Sequence, residues 1–86
     1  MNEHLTEVKD YPRSLKELAN EVGFLRYKET AEFLEYLKEN IKEQSIADFK
    51  KDRKKLSQRL EECSKHLENA RKEMEEAWNI CEPYMK

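Results

Sequence analysis

A heptad repeat in the second half of the chain constrains the fold more than any other feature of the sequence. Two rows of residues, each spaced seven apart, form one stripe: Ile46, Arg53, Leu60, Leu67, Met74 and Cys81 in the first, and Phe49, Leu56, Cys63, Ala70 and Ala77 in the second. Ten of these eleven positions are apolar, and so long a repeat is typical of coiled-coil packing. The repeat predicts one helix over residues 46–82, which Pro83 ends before a tail at 83–86.

A second helical pattern occupies the first half of the chain. Ser14 and Glu17 have the spacing of a capping box, and apolar residues then recur at a 3.6-residue step. This pattern predicts a helix over residues 14–43 that is either kinked or broken at Gly23, because glycine destabilises a helix interior and also favours helix ends. Residues 1–13 carry no such stripe, so we expect them to form an N-terminal arm.

The two predicted helices require a turn between them. Ser45, followed three residues later by the carboxylate of Asp48, gives a second helix-start signal. The turn is therefore expected near residues 43–45. Since this segment contains neither Gly nor Pro, a single unbroken helix is the alternative.

The resulting fold class is all-α, an antiparallel helical hairpin with coiled-coil heptads. Two helices alone cannot cover apolar faces this wide, so the hairpin should dimerise into a four-helix bundle. The predicted core and dimer seam consists of Leu15, Leu18, Val22, Leu25, Phe33, Leu37, Ile41, Phe49, Leu56, Leu60, Cys63, Leu67 and Met74.

This layout resembles the WxG-type helical-hairpin family, the early secreted antigen-like small bacterial export proteins. The resemblance covers residues Ser14 to Glu82. It consists of the length, the near-central turn and the need for a dimer. It implies a four-helix bundle that leaves the cell through a specialised secretion system. Residues 43–47, which contain the predicted turn, have neither the Trp nor the Gly that names the family, so no functional residue is carried over.

The overall charge gives no general reason to expect nucleic acid or an anionic membrane as a partner. The chain has 17 Lys and Arg against 19 Asp and Glu, for a net charge of −2. No apolar run approaches the ~20 residues of a membrane span, and no signal-peptide core is present at the N-terminus. The sequence predicts a cytoplasmic protein, or one exported without a cleaved signal, that spans no membrane.

One segment departs from this balance. Its cations are Lys50, Lys51, Arg53, Lys54, Lys55 and Arg59, with Asp52 as the only acidic residue among them. We interpret them as a solvated face whose charges pair with nearby glutamates. The alternative is a nucleic-acid or acidic-partner patch on a dimer, although no aromatic or Gly-rich element interleaves the cations. Arg53 also lies on the heptad stripe, where it either reaches solvent at the bundle end or fixes the register with a partner carboxylate.

Three residues near the C-terminus form a candidate contact for another protein. Trp78 is interpreted as a packing anchor, and its alternative is an exposed hot spot with Ile80 and Tyr84. That alternative would fit a small secretion chaperone or adaptor.

Catalysis and metal binding have little support in the sequence. Cys63, His66 and Glu62 share one helical turn, but ligands from a single helix do not close a metal site. There is no Gly-rich phosphate loop and no nucleophile motif. We therefore expect no catalytic residue, metal or cofactor. The predicted function is that of a non-enzymatic homodimeric interaction protein whose partners are a second copy and another protein.

Overall fold

The computed structural model describes residues 5–85, and within this range it is helical with no strand. The elements are α1 (Leu15–Gly23), α2 (Tyr27–Lys50) and α3 (Lys54–Cys81), followed by a 3₁₀ turn at Glu82–Tyr84. Helices α2 and α3 pack as a hairpin, which confirms the all-α class and the helix pair. The pairing of two hairpins into a four-helix bundle is still a prediction.

Helix α1 begins at the capping box that the sequence predicts. The Glu17 amide donates to Ser14 Oγ at 3.2 Å, and the Ser14 amide donates to Glu17 Oε1 at 3.2 Å. These two bonds satisfy backbone donors that a helix start otherwise leaves free.

The first helix is broken rather than kinked at Gly23, where α1 ends and from which a short link leads to Tyr27. Gly23 does not adopt a left-handed conformation, so the break does not depend on glycine's freedom at positive φ. The Thr30 hydroxyl of α2 donates to the Val22 carbonyl at 2.9 Å. This bond satisfies a carbonyl at the end of α1 and fixes the two helices against each other.

The turn of the hairpin lies at residues 51–53, and the expectation of residues 43–45 is wrong. The Arg53 amide donates to the Asp48 carbonyl at 2.9 Å, and the Asp52 amide donates to the Phe49 carbonyl at 3.0 Å. This pairing is a Schellman motif, with Asp52 at φ 62° in the left-handed position that glycine usually occupies. Asp tolerates that conformation better than most residues, so the helix ends here without a glycine.

The predicted start signal at Ser45 has a different role. Ser45 lies inside α2 and is only 4% exposed, opposite Ser57 of α3, which is 6% exposed. Ser45 Oγ donates to the Ser57 carbonyl at 2.8 Å, and Ser57 Oγ donates to the Ser45 carbonyl at 2.7 Å. Small hydroxyl side chains thus let the helices approach closely just before the turn.

The predicted N-terminal arm and C-terminal tail flank the helices. In the arm, the Tyr11 hydroxyl donates to the Glu21 carboxylate of α1, and Arg13 lies 3.4 Å from the same carboxylate. Residues 1–4 of the predicted arm and residue 86 of the predicted tail lie outside the described residues. Helix α3 ends at Cys81, one residue before the predicted boundary.

Candidate interaction surfaces

The α2–α3 seam is polar, which the heptad pattern did not predict. Ala31, at 3% exposed, is the only buried hydrophobic residue in the described part of the chain, and the other buried residues are Ser45, Ser57 and Ser64. The residues of the seam are spaced by seven on each helix: Ala31, Lys38 and Ser45 on α2, and Ser57, Ser64, Arg71 and Trp78 on α3. The heptad period is therefore real, but the hairpin closes on a neighbouring, hydrophilic stripe.

A cross-helix ion-pair network continues this seam. Lys38 Nζ lies 2.9 Å from Glu68 Oε1, and Arg71 Nε lies 3.0 Å from Glu35 Oε1. Arg71 is also paired with Glu68 at 2.6 Å and with Glu75 at 2.7 Å. The Arg71 side chain is 18% exposed, so its charge is held in a partly desolvated position among three carboxylates.

The network shifts the titration of its members. Hydrogen bonds from Arg71 and then Lys38 lower the pKa of Glu68 to about 2. The hydrogen bond that Arg71 donates to Glu68 raises the pKa of Arg71 above its ordinary value. Bonds to Glu68 and Glu35 raise the pKa of Lys38 in the same way. Each group is thus held in its charged form, which favours one register of α2 against α3.

The predicted apolar seam lies beside this polar seam and stays open. On α3, Leu56, Cys63 and Ala70 each precede a seam residue by one position, and Leu60 and Leu67 precede one by four. Leu37 and Ile41 have the same offsets on α2. Successive residues of a helix are rotated by about 100°, so residues one and four positions before a seam residue point to the same side of the helix. Because α2 and α3 are antiparallel, these apolar residues of both helices lie on one face of the hairpin.

We call this surface the apolar face. Its members are Phe33, Leu34, Leu37, Ile41, Leu56, Leu60, Cys63, Leu67, Ala70 and Met74. None of them is buried, and Leu56 is 47% exposed. Leu15, Leu18, Val22, Leu25 and Phe49, the other predicted seam residues, are also unburied in the single chain.

Helix α1 covers one end of the apolar face. Leu18 and Val22 of α1 line a groove together with Thr30, Phe33 and Leu34 of α2. Helix α1 packs on α2 and, among the described residues, not on α3. The face is therefore partly covered at the end of the hairpin away from the turn, which we call the open end, and uncovered toward the turn.

The six predicted cations converge at the turn. Lys50 ends α2, Lys51 and Arg53 lie in the turn, and Lys54 and Lys55 begin α3. Arg53 is paired with Asp48 at 3.2 Å and Lys54 with Asp52 at 3.8 Å. We call Lys50, Lys51, Arg53, Lys54, Lys55 and Arg59 the basic tip. All six residues are exposed, which fits both the solvated face and the binding patch, and the placement of Lys50 at a helix C-terminus complements the helix dipole.

At the open end, Trp78 is half-buried and Arg26 stacks on it, with the guanidinium carbon 5.5 Å from the ring centroid. Trp78 therefore contacts the residue that precedes α2 through a cation–π interaction. Ile80 and Tyr84 are 69% and 84% exposed, and their role in a contact with another protein stays a prediction.

In the part of the chain that the structure describes, no metal centre is indicated. Cys63 is exposed, and within residues 5–85 no three His, Cys, Asp or Glu side chains are grouped to hold a metal ion. Among the described residues, none of the helices has both the length and the apolarity that a membrane span requires.

Sequence reasoning missed the polar seam because it searched for apolar stripes only. The signal that could have revealed it is the seven-residue spacing of Ser57, Ser64 and Arg71, with Lys38 and Ser45 at the same spacing on α2. Compared with known proteins, the chain matches no family model, no curated protein and no solved structure. The likeness to WxG-type proteins is therefore still a prediction from layout, and the observed turn at residues 51–53 also contains neither Trp nor Gly.

Proposed function

We propose that this protein is a non-enzymatic interaction module whose apolar face binds a second copy of the chain. The observation that carries the proposal is the division of the hairpin into a polar seam, which holds α2 to α3, and an apolar face, which has no cover toward the turn. A hairpin that uses hydroxyls and ion pairs internally leaves its leucines available for a partner.

The exposed area supports a partner of substantial size. The chain exposes 7432 Å². A compact monomer of 10.4 kDa is expected to expose about 5,400 Å². The excess of about 2,000 Å² exceeds the roughly 800 Å² that each partner contributes to a stable interface.

A second copy of the chain is the simplest partner for the apolar face. Homo-oligomers with a two-fold axis are the commonest assemblies, and the axis lets one apolar face cover another. The paired hairpins would then present their polar sides, including the ion-pair network, to other proteins. An export role of the WxG type and a chaperone role are not part of this proposal.

Two adjacent residues of α2 provide the test. Leu37 lies on the apolar face and is 38% exposed, whereas Tyr36 is 63% exposed and lines the groove on the polar side beside Arg71. Leu37→Lys should raise the dimer dissociation constant at least about tenfold, because a buried leucine contributes ~1.5–3 kcal/mol. Tyr36→Lys should leave the constant within about threefold of that of the unmodified chain.

The measurement is solution mass by light scattering, with sedimentation equilibrium across a dilution series. The proposal expects twice the chain mass for the unmodified protein and for Tyr36→Lys, and a monomer at low concentration for Leu37→Lys. Circular dichroism at high concentration checks that the Leu37 variant still folds. A monomeric unmodified chain at all concentrations would contradict the proposal.

A further inference from the structure

Helix α1 limits how a second copy can approach the apolar face. It packs on α2 and forms a groove with Thr30, Phe33 and Leu34, which belong to the same side of α2 as Leu37 and Ile41. A partner helix therefore cannot run along the whole of α2 on this face. The uncovered portion extends from about Leu37 to the turn on α2, together with the apolar side of α3.

The position of α1 favours one of the two orientations that a two-fold dimer can have. If the two-fold axis runs along the helices, the hairpins lie parallel and in register, so a partner helix must pass over the full length of α2 and collide with α1. If the axis is perpendicular to the helices, the hairpins are antiparallel and can slide until each one stops at the partner's α1. Only the second arrangement buries the uncovered portion without moving α1.

The distribution of charge favours the same orientation. Residues 50–55 contain five cations and one carboxylate, whereas residues 70–85 at the open end contain four glutamates and two cations. Parallel hairpins would place both basic tips at the same end, where like charges repel. Antiparallel hairpins would place each basic tip near the acidic open end of the partner.

We propose that the second copy packs antiparallel on the turn-side half of the apolar face, so that each basic tip lies beside the partner's α1 and open end. This inference rests on the proposed dimer and adds its orientation and overlap. The basic tip then acts as an orienting charge within the assembly.

Distances between spin labels test the orientation. Cys63→Ala and Cys81→Ser give a background without thiols, into which Asn79→Cys places one label at the open end of each chain. Cys63 belongs to the apolar face, so alanine is used there to keep the site apolar, and light scattering first compares the mass of this background with that of the unmodified chain. Asn79 is exposed. With a rise of 1.5 Å per residue, antiparallel packing separates the two labels by more than about 40 Å, and parallel packing brings them within roughly 25 Å. The distances are measured by pulsed electron paramagnetic resonance.

Gln58→Cys in the same background is the matched control. Gln58 is exposed and lies near the centre of the proposed overlap, so its labels should be within about 35 Å of each other in either orientation. Light scattering on each labelled protein confirms the doubled mass.

The outcomes separate this inference from the proposed function. A long Asn79 distance with a short Gln58 distance supports the antiparallel overlap. A short Asn79 distance in a protein of doubled mass overturns the orientation and leaves the dimer standing. A doubled mass with both distances long also overturns the overlap on this face, and a monomeric mass of the unmodified chain contradicts both proposals.

Discussion

At the scale of single residues, Ser57 holds the hairpin more directly than any leucine does. Its hydroxyl donates across the seam to the Ser45 carbonyl, whereas Ser64, equally buried, donates to Glu61 of its own helix at 2.7 Å. We expect Ser57→Ala to lower the free energy of unfolding by about 1 kcal/mol, because a buried cross-helix hydrogen bond is lost. Ser64→Ala should cost less. Urea denaturation at one fixed protein concentration compares them, and equal losses would contradict a special role for Ser57.

Glu68 links the seam to pH. Arg71 and Lys38 lower its pKa from 4.5 to about 2 in the folded protein, so its pairing stabilises the fold above about pH 4.5. That stabilisation is lost as the pH falls from there toward 2, where the carboxylate takes up a proton.

Glu68→Gln should therefore be less stable than the unmodified protein at pH 6 and should lose less stability between pH 5 and pH 2.5. Glu62→Gln is the control, because Glu62 pairs with Lys65 within α3 at 3.4 Å and does not reach α2. Thermal unfolding followed by circular dichroism provides the measurement. Identical pH profiles for the two variants would show that the cross-helix network does not govern acid stability.

At the scale of elements, the turn depends on one residue in a left-handed conformation. Asp52→Gly should stabilise the protein by up to about 1 kcal/mol, because glycine adopts this conformation without the steric cost that a side chain incurs. The ion pair of Asp52 with Lys54 is highly exposed and adds little. Lys51→Gly is the matched control: Lys51 has φ −92°, so glycine there should only destabilise. The prediction is wrong if Asp52→Gly lowers the urea midpoint.

The same elements show what the sequence could predict. Ser14 and Glu17 predicted the start of α1, because a capping box is a local interaction that depends on two side chains and their own backbone. The turn could not be placed in the same way. Ser45 has the local signal of a helix start, and at the actual helix end Asp52 occupies the position where glycine is usual. The fold overrides the first signal by burying Ser45 against Ser57, a contact between residues that only the hairpin brings together.

At the scale of the whole molecule, the apolar positions were predicted and the way the hairpin closes was not. Leu56, Leu60, Cys63 and Leu67 do form a stripe, but α2 packs beside it, on Ser57, Ser64 and Arg71. A single sequence shows which residues are apolar. It does not show which of two adjacent heptad stripes packs between α2 and α3 and which stays exposed in the single chain, because both have the same period.

The hydrophilic seam also affects how quickly the monomeric chain should be degraded. If the apolar face binds a second copy as proposed, an isolated hairpin has a low free energy of local opening, because hydroxyls and ion pairs hold it together while most of its apolar side chains stay exposed to water. Newly made copies that have found no partner should therefore open often and be cleaved by proteases, whereas assembled copies resist. The abundance of the protein would then follow the supply of partners, with surplus chains removed because of the way their own helices pack.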